Sequence, residues 1–255
     1  MSFEFLHPEA VANDAWAPIA RSPMERRARA CGARFEVREG WSVAVGYGSA
    51  EHDDEAWRST VGWADVSHLG KLELQASPDD LRTIAADGAG GAGVSLELGR
   101  ATRAAGAWWC PLSQARALVV CDPGVAAGLR ERLSEAAAGA SAPPASVTDV
   151  TTAFAAMTLA GPHAREVFAR FCAIDLRPSV TPVAGLRPGS IARQPGIVLR
   201  EAEDRFLMLF GWAVAEYMWT VVDDAGCALG GRPVGVDALA ALGRAAEESG
   251  VPSHA

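Results

Sequence analysis

Residues 71–75 alternate polar and apolar side chains, the period-two signature of a half-buried strand. A looser alternation over 35–45 predicts a strand pair turned at Glu39-Gly40, and 104–120 predicts two strands turned near 111–114. Further strands are expected within 147–159 and 191–210. Between them the period changes. Residues 214–224 place Val214, Met218, Val221 and Val222 on one side, as an amphipathic helix does. Helices are also predicted from Pro23 to Cys31, over 53–60 up to Gly62, and over 79–86, 124–138 and 163–171. A terminal helix over 236–248 is stopped by Gly250-Val251-Pro252.

The pattern occurs twice. Asp65-Val66-Ser67 leads to Pro78 and a helix; Asp149-Val150-Thr151 leads to Pro162 at the same spacing, again before a helix. Arg116-Ala117-Leu118-Val119-Val120 is echoed by Arg205-Phe206-Leu207-Met208-Leu209, each followed by a helical stretch. The chain reads as a duplicated strand–helix–strand–helix unit, an α+β protein of pseudo-duplicated ferredoxin-like halves with a seam where ligands commonly bind. The divisions are an irregular arm (1–22), a first lobe (23–138), a Gly/Ala/Ser/Pro linker (139–146), a second lobe (147–249) and a tail (250–255).

Composition narrows the function. A net charge of −8 argues against nucleic acid, which wants a basic face. No apolar run reaches membrane-span length and no secretory signal is visible, so a cytoplasmic protein is expected. Five scattered cysteines fit a reduced protein with mostly buried thiols, and neither they nor the five histidines fall at zinc spacing. The glycine-rich stretch 87–93 lacks the Gly-Lys-Ser/Thr ending of a phosphate loop and reads as a connector.

Gly40-Trp41, Tyr47, Glu51-His52, Arg58, Gly62, Asp65-Val66-Ser67-His68 and Gly70-Lys71 resemble the amino-terminal signature of the glycine-cleavage T-protein (aminomethyltransferase) family. Leu159-Ala160-Gly161-Pro162, the run from Cys172 to Pro178, residues 206–209 and Glu216-Tyr217-Met218-Trp219 resemble the gamma subunit of heterotetrameric sarcosine oxidase, a branch of the same superfamily. Together they cover most of residues 24–245. The resemblance implies the family's folate-binding body without its carboxy-terminal barrel, tetrahydrofolate held in a channel between the lobes, and one-carbon (aminomethyl or methyl) transfer on its ring nitrogens. It puts Leu69 on one side of the ligand, Trp109 as an aromatic wall, Cys121 where the family has an asparagine, and Glu203 at the family's pterin-binding glutamate. For Glu203 a surface charge at a hairpin turn is the other reading. Asp65 and His68 sit in the signature in conformational roles, Asp65 capping or tethering the turn that follows. Of Trp108 and Trp109, strand alternation turns one inward and one outward. Cys110, before Pro111 and with no nearby histidine, is not expected to be a nucleophile.

Departures from the family point away from its standard chemistry. Its aspartate near the reacting nitrogen has no counterpart, since residues 98–121 contain no Asp or Glu. Its Arg-x-Gly-Tyr-x-Gly-Glu stretch is shortened to Arg200-Glu201-Ala202-Glu203, and its terminal-helix arginine falls at Leu239. Three functions follow. One is a diverged folate-dependent one-carbon transferase lacking the usual catalytic aspartate. Another is a non-catalytic gamma-like subunit stabilising an amine-oxidising flavoprotein complex. The last is a repurposed channel in which the tryptophans bind another small heterocycle. The partners expected are thus a folate-like ligand and a protein subunit, without nucleic acid or membrane.

Overall fold

Two short turns, one in each half of the sequence, each bond to the other half. The structure is a computed structural model that describes residues 18–141 and 144–248. Most of the arm (1–22), the helix stop at Gly250-Val251-Pro252 and the tail therefore lie outside the described residues.

In chain order, β1 (Ala20–Arg21) and α1 (Glu25–Ala30) precede a hairpin of β2 (Arg34–Arg38) and β3 (Trp41–Gly46). The hairpin turn falls at Glu39-Gly40, at φ 47° and 74°, the left-handed pair that tight hairpins require. Ser49 caps α2 (Ala50–Ser59), accepting the His52 N–H at 3.2 Å. Next come β4 (Gly62–Asp65), β5 (Gly70–Gln75) and α3 (Pro78–Gly88), the last with a Ser77 cap and proline in its first turn. β6 (Thr102–Ala104), β7 (Ala107–Ser113), β8 (Arg116–Cys121) and α4 (Pro123–Ala138) follow. The second half runs β9 (Ser146–Asp149), β10 (Phe154–Ala160), α5 (Ala164–Ala169), β11 (Leu186–Ile191), β12 (Gln194–Ala202), β13 (Arg205–Gly211), α6 (Ala215–Cys227), β14 (Arg232–Pro233) and α7 (Val236–Glu248).

The two large sheets repeat one plan. The first has the order β6-β7-β8-β5-β9 and the second β11-β12-β13-β10-β4-β14; β1-β3-β2 form a small third sheet. Strand for strand, β5, β7 and β8 correspond to β10, β12 and β13, while α3 and α4 correspond to α5 and α6. This is the α+β architecture of paired ferredoxin-like units, and no sheet among the described residues closes into a barrel.

The halves exchange their outer strands. β4 precedes the first unit yet pairs antiparallel with β10, and β9 pairs antiparallel with β5. The lobes drawn at 23–138 and 147–249 are therefore interleaved: β9, which starts on the last linker residue, Ser146, completes the first sheet. The two Asp-x-Ser/Thr repeats lie at this exchange. Asp65 Oδ1 accepts the Ser67 N–H at 2.9 Å, and Asp149 Oδ1 accepts the Thr151 N–H at 2.9 Å. Each turn then grips the other half. Ala156 N–H donates to Ser67 Oγ and Val66 N–H to Ala156 O; Lys71 N–H donates to Thr151 Oγ1 and Val150 N–H to Lys71 O.

Three apolar clusters follow from this plan. One lies between the first sheet and α3 and α4, around Leu74, Leu81, Trp109 and Leu133. One lies under α5 and α6, around Trp63, Phe168, Phe206 and Trp219. The third joins the inner faces of the sheets, where Ala64, Cys110 and Leu118 share a cluster with Ala156, Leu199 and Leu207. The thiols correct one expectation. Cys110 and Cys121 are buried, but Cys31 and Cys227 are exposed and Cys172 is half-buried, because the latter three lie at or beside helix and strand ends rather than inside sheets.

Candidate functional site

A cleft of about 650 Å³ opens between the lobes, with Leu69, Trp108, Cys121, Glu201, Glu203 and Arg205 among its walls. Leu69 reaches it from the turn after Asp65. That turn is fixed by the Asp65–Ser67 bond and by Lys71, whose ammonium is fully buried and donates to Ser67 O and Leu69 O, both at 2.8 Å. A third, longer contact to Thr151 O (3.4 Å) reaches the sister turn. Burial pushes the Lys71 pKa down to about 8, against the pull of Asp65 and Asp149. Burial raises the Asp65 pKa, against bonds from Ser22 and Ser67 and the field of Lys71. It also lowers His68 to about 4, helped by Lys71 and Arg38, so His68 is neutral at pH 7. None of Asp65, His68 and Lys71 lies on the cleft wall; they shape the turn that delivers Leu69.

β7 supplies the aromatic wall. Its register pairs Trp108 with Val120 and Trp109 with Val119. Alternation then separates the neighbours. Trp108 packs on the interlobe cluster with Cys110 and Leu112 and faces the cleft. Trp109 is fully buried in the first-lobe core, its indole N–H donating to Ala104 O at 3.1 Å. The wall expected from Trp109 is thus provided by Trp108. The interlobe face of this strand carries Trp108, Cys110 and Leu112, with no acid or base. Burial holds the Cys110 thiol up at about 12, and Cys121 at about 11 with Asp122 and Asp149 adding to it, so neither is a thiolate at neutral pH.

The second lobe provides the charges, through the β12–β13 turn. Arg200, with 1% of its side chain exposed, ties that turn down. It donates to Glu203 O through Nε (3.1 Å) and Nη2 (2.7 Å) and to Thr181 O through Nη1 (2.9 Å). The turn carries two glutamates with different surroundings. Glu203 is at the lip, its side chain 73% exposed and paired with Arg200 at 2.8 Å. Glu201, 13% exposed, points across the cleft. Its Oε1 accepts the Trp108 indole N–H at 3.0 Å and its Oε2 the Arg205 Nε–H at 3.0 Å. Arg103 lies over the Trp108 ring, Cζ 5.5 Å from the centroid, and Arg58 over Trp57 at 4.9 Å. Gly161 closes one side at φ 122°; a Cβ there would stand 2.6 Å from the carbonyl oxygens of Trp57 and Thr60.

The cleft thus brings together Leu69, Cys121 and Glu203, and leaves Trp109, Asp65 and His68 off its wall. Sequence reasoning missed Glu201 and Arg205. Their spacing of four places them across a hairpin turn, but nothing in the sequence says which of three nearby acids faces inward.

Comparison with known proteins bears on the family and the fold. Residues 108–247 match the family described as the GCVT N-terminal domain. The aminomethyltransferase of Streptomyces coelicolor is 28% identical over 231 residues, covering 86% of this chain and 60% of the relative. That of Parafrankia sp. (strain EAN1pec) is 30% identical over 257, covering 92% and 65%. The chain thus spans about 60% of the length of such relatives. Among solved structures, glycine cleavage system aminomethyltransferase T from Bartonella henselae superposes with a TM-score of 0.68 at 17% identity, over 86% of this chain and 60% of that one. A chain of heterotetrameric sarcosine oxidase from Corynebacterium sp. U-96 superposes at 0.59 and 22% identity, over 71% of this chain and 92% of that one. At such identities these two superpositions speak for the fold.

Proposed function

The chain belongs to the GCVT N-terminal domain family, and from that premise we propose that it binds a tetrahydrofolate-type ligand between its lobes, with one-carbon chemistry diverged from aminomethyl transfer. The observation that supports this reading is the composition of the cleft. The Trp108 indole with the Arg103 guanidinium over its ring, and apolar contacts from Leu69, suit a flat heterocycle such as a pterin, and carboxylates at the β12–β13 turn suit its donor-rich edge. A cleft of about 650 Å³ is within the range of small-molecule sites. The divergence rests on β7. Where the family implies a carboxylate beside the reacting nitrogen, the interlobe face of this strand is Trp108, Cys110 and Leu112. Losing a positioned acid–base group costs on the order of 10²–10⁴ in rate. Calorimetric titration with tetrahydrofolate tests the binding: saturable heat that Trp108→Ala abolishes is expected, and no saturation at millimolar ligand would overturn the reading. Turnover at T-protein rates with an aminomethylated lipoyl carrier would overturn the divergence.

A second reading, a subunit that steadies an amine-oxidising flavoprotein, draws on the 92% coverage of the sarcosine oxidase chain and on the exposed ring of Tyr217. It predicts that soluble yield and stability rise on co-expression with such a flavoprotein. No helix among the described residues is long and apolar enough to cross a membrane, and we place the protein in the reducing cytoplasm.

A further inference from the structure

Resting on the subunit reading above, and on nothing in the interlobe cleft, we infer that a second pocket on the second lobe docks an acidic, apolar-tipped segment of a partner protein. The pocket, about 510 Å³ and open to solvent, lies between the end of α5, the β11–β12 turn and α6. It shares no residue with the cleft. Phe171 and Val221 form its floor and pack on the core cluster under α5 and α6. Tyr217 stands 48% exposed at its side, and Arg170 and Arg193 are exposed at its rim. Cys172 and Tyr217 carry part of the second-half resemblance, yet neither reaches the cleft; both line this pocket instead.

The turn that carries Arg193 is held in a strained form. Ala192 and Arg193 are the central pair of a two-residue hairpin, with Ile191 paired to Gln194, and their φ angles are 47° and 64°. Such a turn prefers Asn-Gly, so an alanine and an arginine persist there only because their surroundings fix them. Ala192 N–H donates to Phe171 O at 2.9 Å, and the Tyr217 O–H donates to Ala192 O at 3.1 Å. The end of α5 and the face of α6 thus pin the turn that brings Arg193 to the same pocket as Arg170. Neither guanidinium has an ion pair or a hydrogen bond among the described residues. No Asp or Glu lines the pocket, and Glu216, next to Tyr217, is taken by Arg26 at 2.7 Å. In a chain of net charge −8 this is a local basic and apolar spot. Its complement is a pair of carboxylates flanking an apolar side chain. The carboxylates meet the two arginines, and the side chain covers Phe171 and Val221 beside the Tyr217 ring. The open shape selects a protein segment over a small molecule. Small-molecule sites bury most of the ligand's surface, whereas a protein brings its own surface to close the pocket.

The test uses the full chain and blocked peptides: Glu-Glu-Leu-Phe-Glu-Glu, and its versions with Ser or Lys in place of Glu. The acidic peptide should bind saturably, at about millimolar affinity or tighter. It should slow alkylation of Cys172 in the pocket wall and leave the exposed Cys31 and Cys227 unchanged. The net charge of −8 opposes this order of binding, so a preference for the acidic peptide reports a local site. Arg170→Glu combined with Arg193→Glu should weaken the acidic peptide by about tenfold, the scale of two exposed ion pairs lost, and should turn the preference toward the Lys peptide. If that variant folds poorly, Arg170→Ala with Arg193→Gly, which suits the left-handed turn, should show the same loss. Equal binding of the acidic and Ser peptides, or unchanged affinity in the variants, would overturn the inference. Binding of phosphatidylserine vesicles in place of the acidic peptide would overturn it in favour of a membrane surface. Self-association in place of peptide binding, abolished by the two Glu changes, would overturn it in favour of a second copy of this chain. Co-expression with an amine-oxidising flavoprotein separates the surface from the subunit reading. Stabilisation of the wild type but not of the Glu variant is expected. Equal stabilisation of both would leave the subunit reading standing and remove this surface, and stabilisation of neither would overturn that reading and this inference with it.

Discussion

Replacing Lys71 by Met should make little difference to stability at pH 7 and a large one at pH 10. Lys71 is the only lysine of the chain and is fully buried. Its pKa falls from 10.5 in the unfolded chain to about 8 in the folded protein. At about 1.4 kcal/mol per unit, that displacement corresponds to roughly 3 kcal/mol. The sign follows from proton counting. Below pH 8 both states carry the proton, and the folded state bears the whole cost of a buried charge. Between pH 8 and 10.5 the unfolded chain holds a proton that the folded one has lost, so stability rises with pH. Above 10.5 both are neutral and the cost is gone. Lys71→Met has no such titration. At neutral pH it relieves the buried charge but strands the carbonyls of Ser67 and Leu69, each worth about 1–3 kcal/mol when left without a donor. These effects oppose one another, so the variant should lie within about 2 kcal/mol of wild type. By pH 10 the wild type should have gained most of the roughly 3 kcal/mol relative to it. Cys110 and Cys121, whose raised pKa values lower stability above pH 9, titrate in both proteins and cancel to first order in the difference. Urea unfolding of both chains at pH 7, 8, 9 and 10 measures this directly. A wild-type minus variant difference that stays flat from pH 7 to 10 would refute a charged, burial-shifted Lys71.

Four other outcomes follow from the site. His68, with a folded pKa of about 4 against 6.5 unfolded, should lose stabilising effect as pH falls from 6.5 to 4; His68→Asn should flatten that part of the acid-denaturation curve. Trp109→Phe should lower the melting temperature and spare ligand affinity, whereas Trp108→Phe should do the reverse; the opposite pairing would show that the strand parity is misassigned. Gly161→Ala, forcing a side chain into a left-handed position against two carbonyls, should cost at least about 1–3 kcal/mol by chemical denaturation. Arg200→Met should cost about 1–3 kcal/mol for each of the Glu203 and Thr181 carbonyls it leaves without a donor, less what removal of a buried cation returns, and a chemical-denaturation midpoint equal to or above wild type would refute this.

Periodicity exposed the elements whose two faces meet different surroundings. β5 and the helix at α6 were readable because one side faces a core and the other does not. β4 was not: all four of its residues are buried, so it shows neither alternation nor a long apolar run. β11 was hidden by Pro188 and Gly189, which sit on a strand at the edge of its sheet. The Asp-x-Ser/Thr repeat was visible, but its partner was not, since pairing between β4 and β10 or between β5 and β9 is a contact across distant sequence. At the site, resemblance brought Leu69, Cys121 and Glu203 to the cleft. It misplaced the tryptophan by one residue, because adjacent strand positions face opposite ways and two like residues in a row carry no parity signal. Glu201 needed the structure, since the bond that turns it toward the cleft comes from an indole 93 positions earlier in the chain.

The reciprocal grip of the two turns has a consequence for how this body can be cut. Opening the chain in the linker between α4 and β9 yields one piece with a first sheet missing its edge strand and another with a second sheet missing β4. Each piece would present a bare strand, β5 or β10, with its N–H and C=O groups unpaired, the kind of edge that invites aggregation. Produced together, the pieces carry the complements of each other's gaps. The protein is therefore a natural candidate for a split reporter, inert as fragments and restored only when the two halves meet.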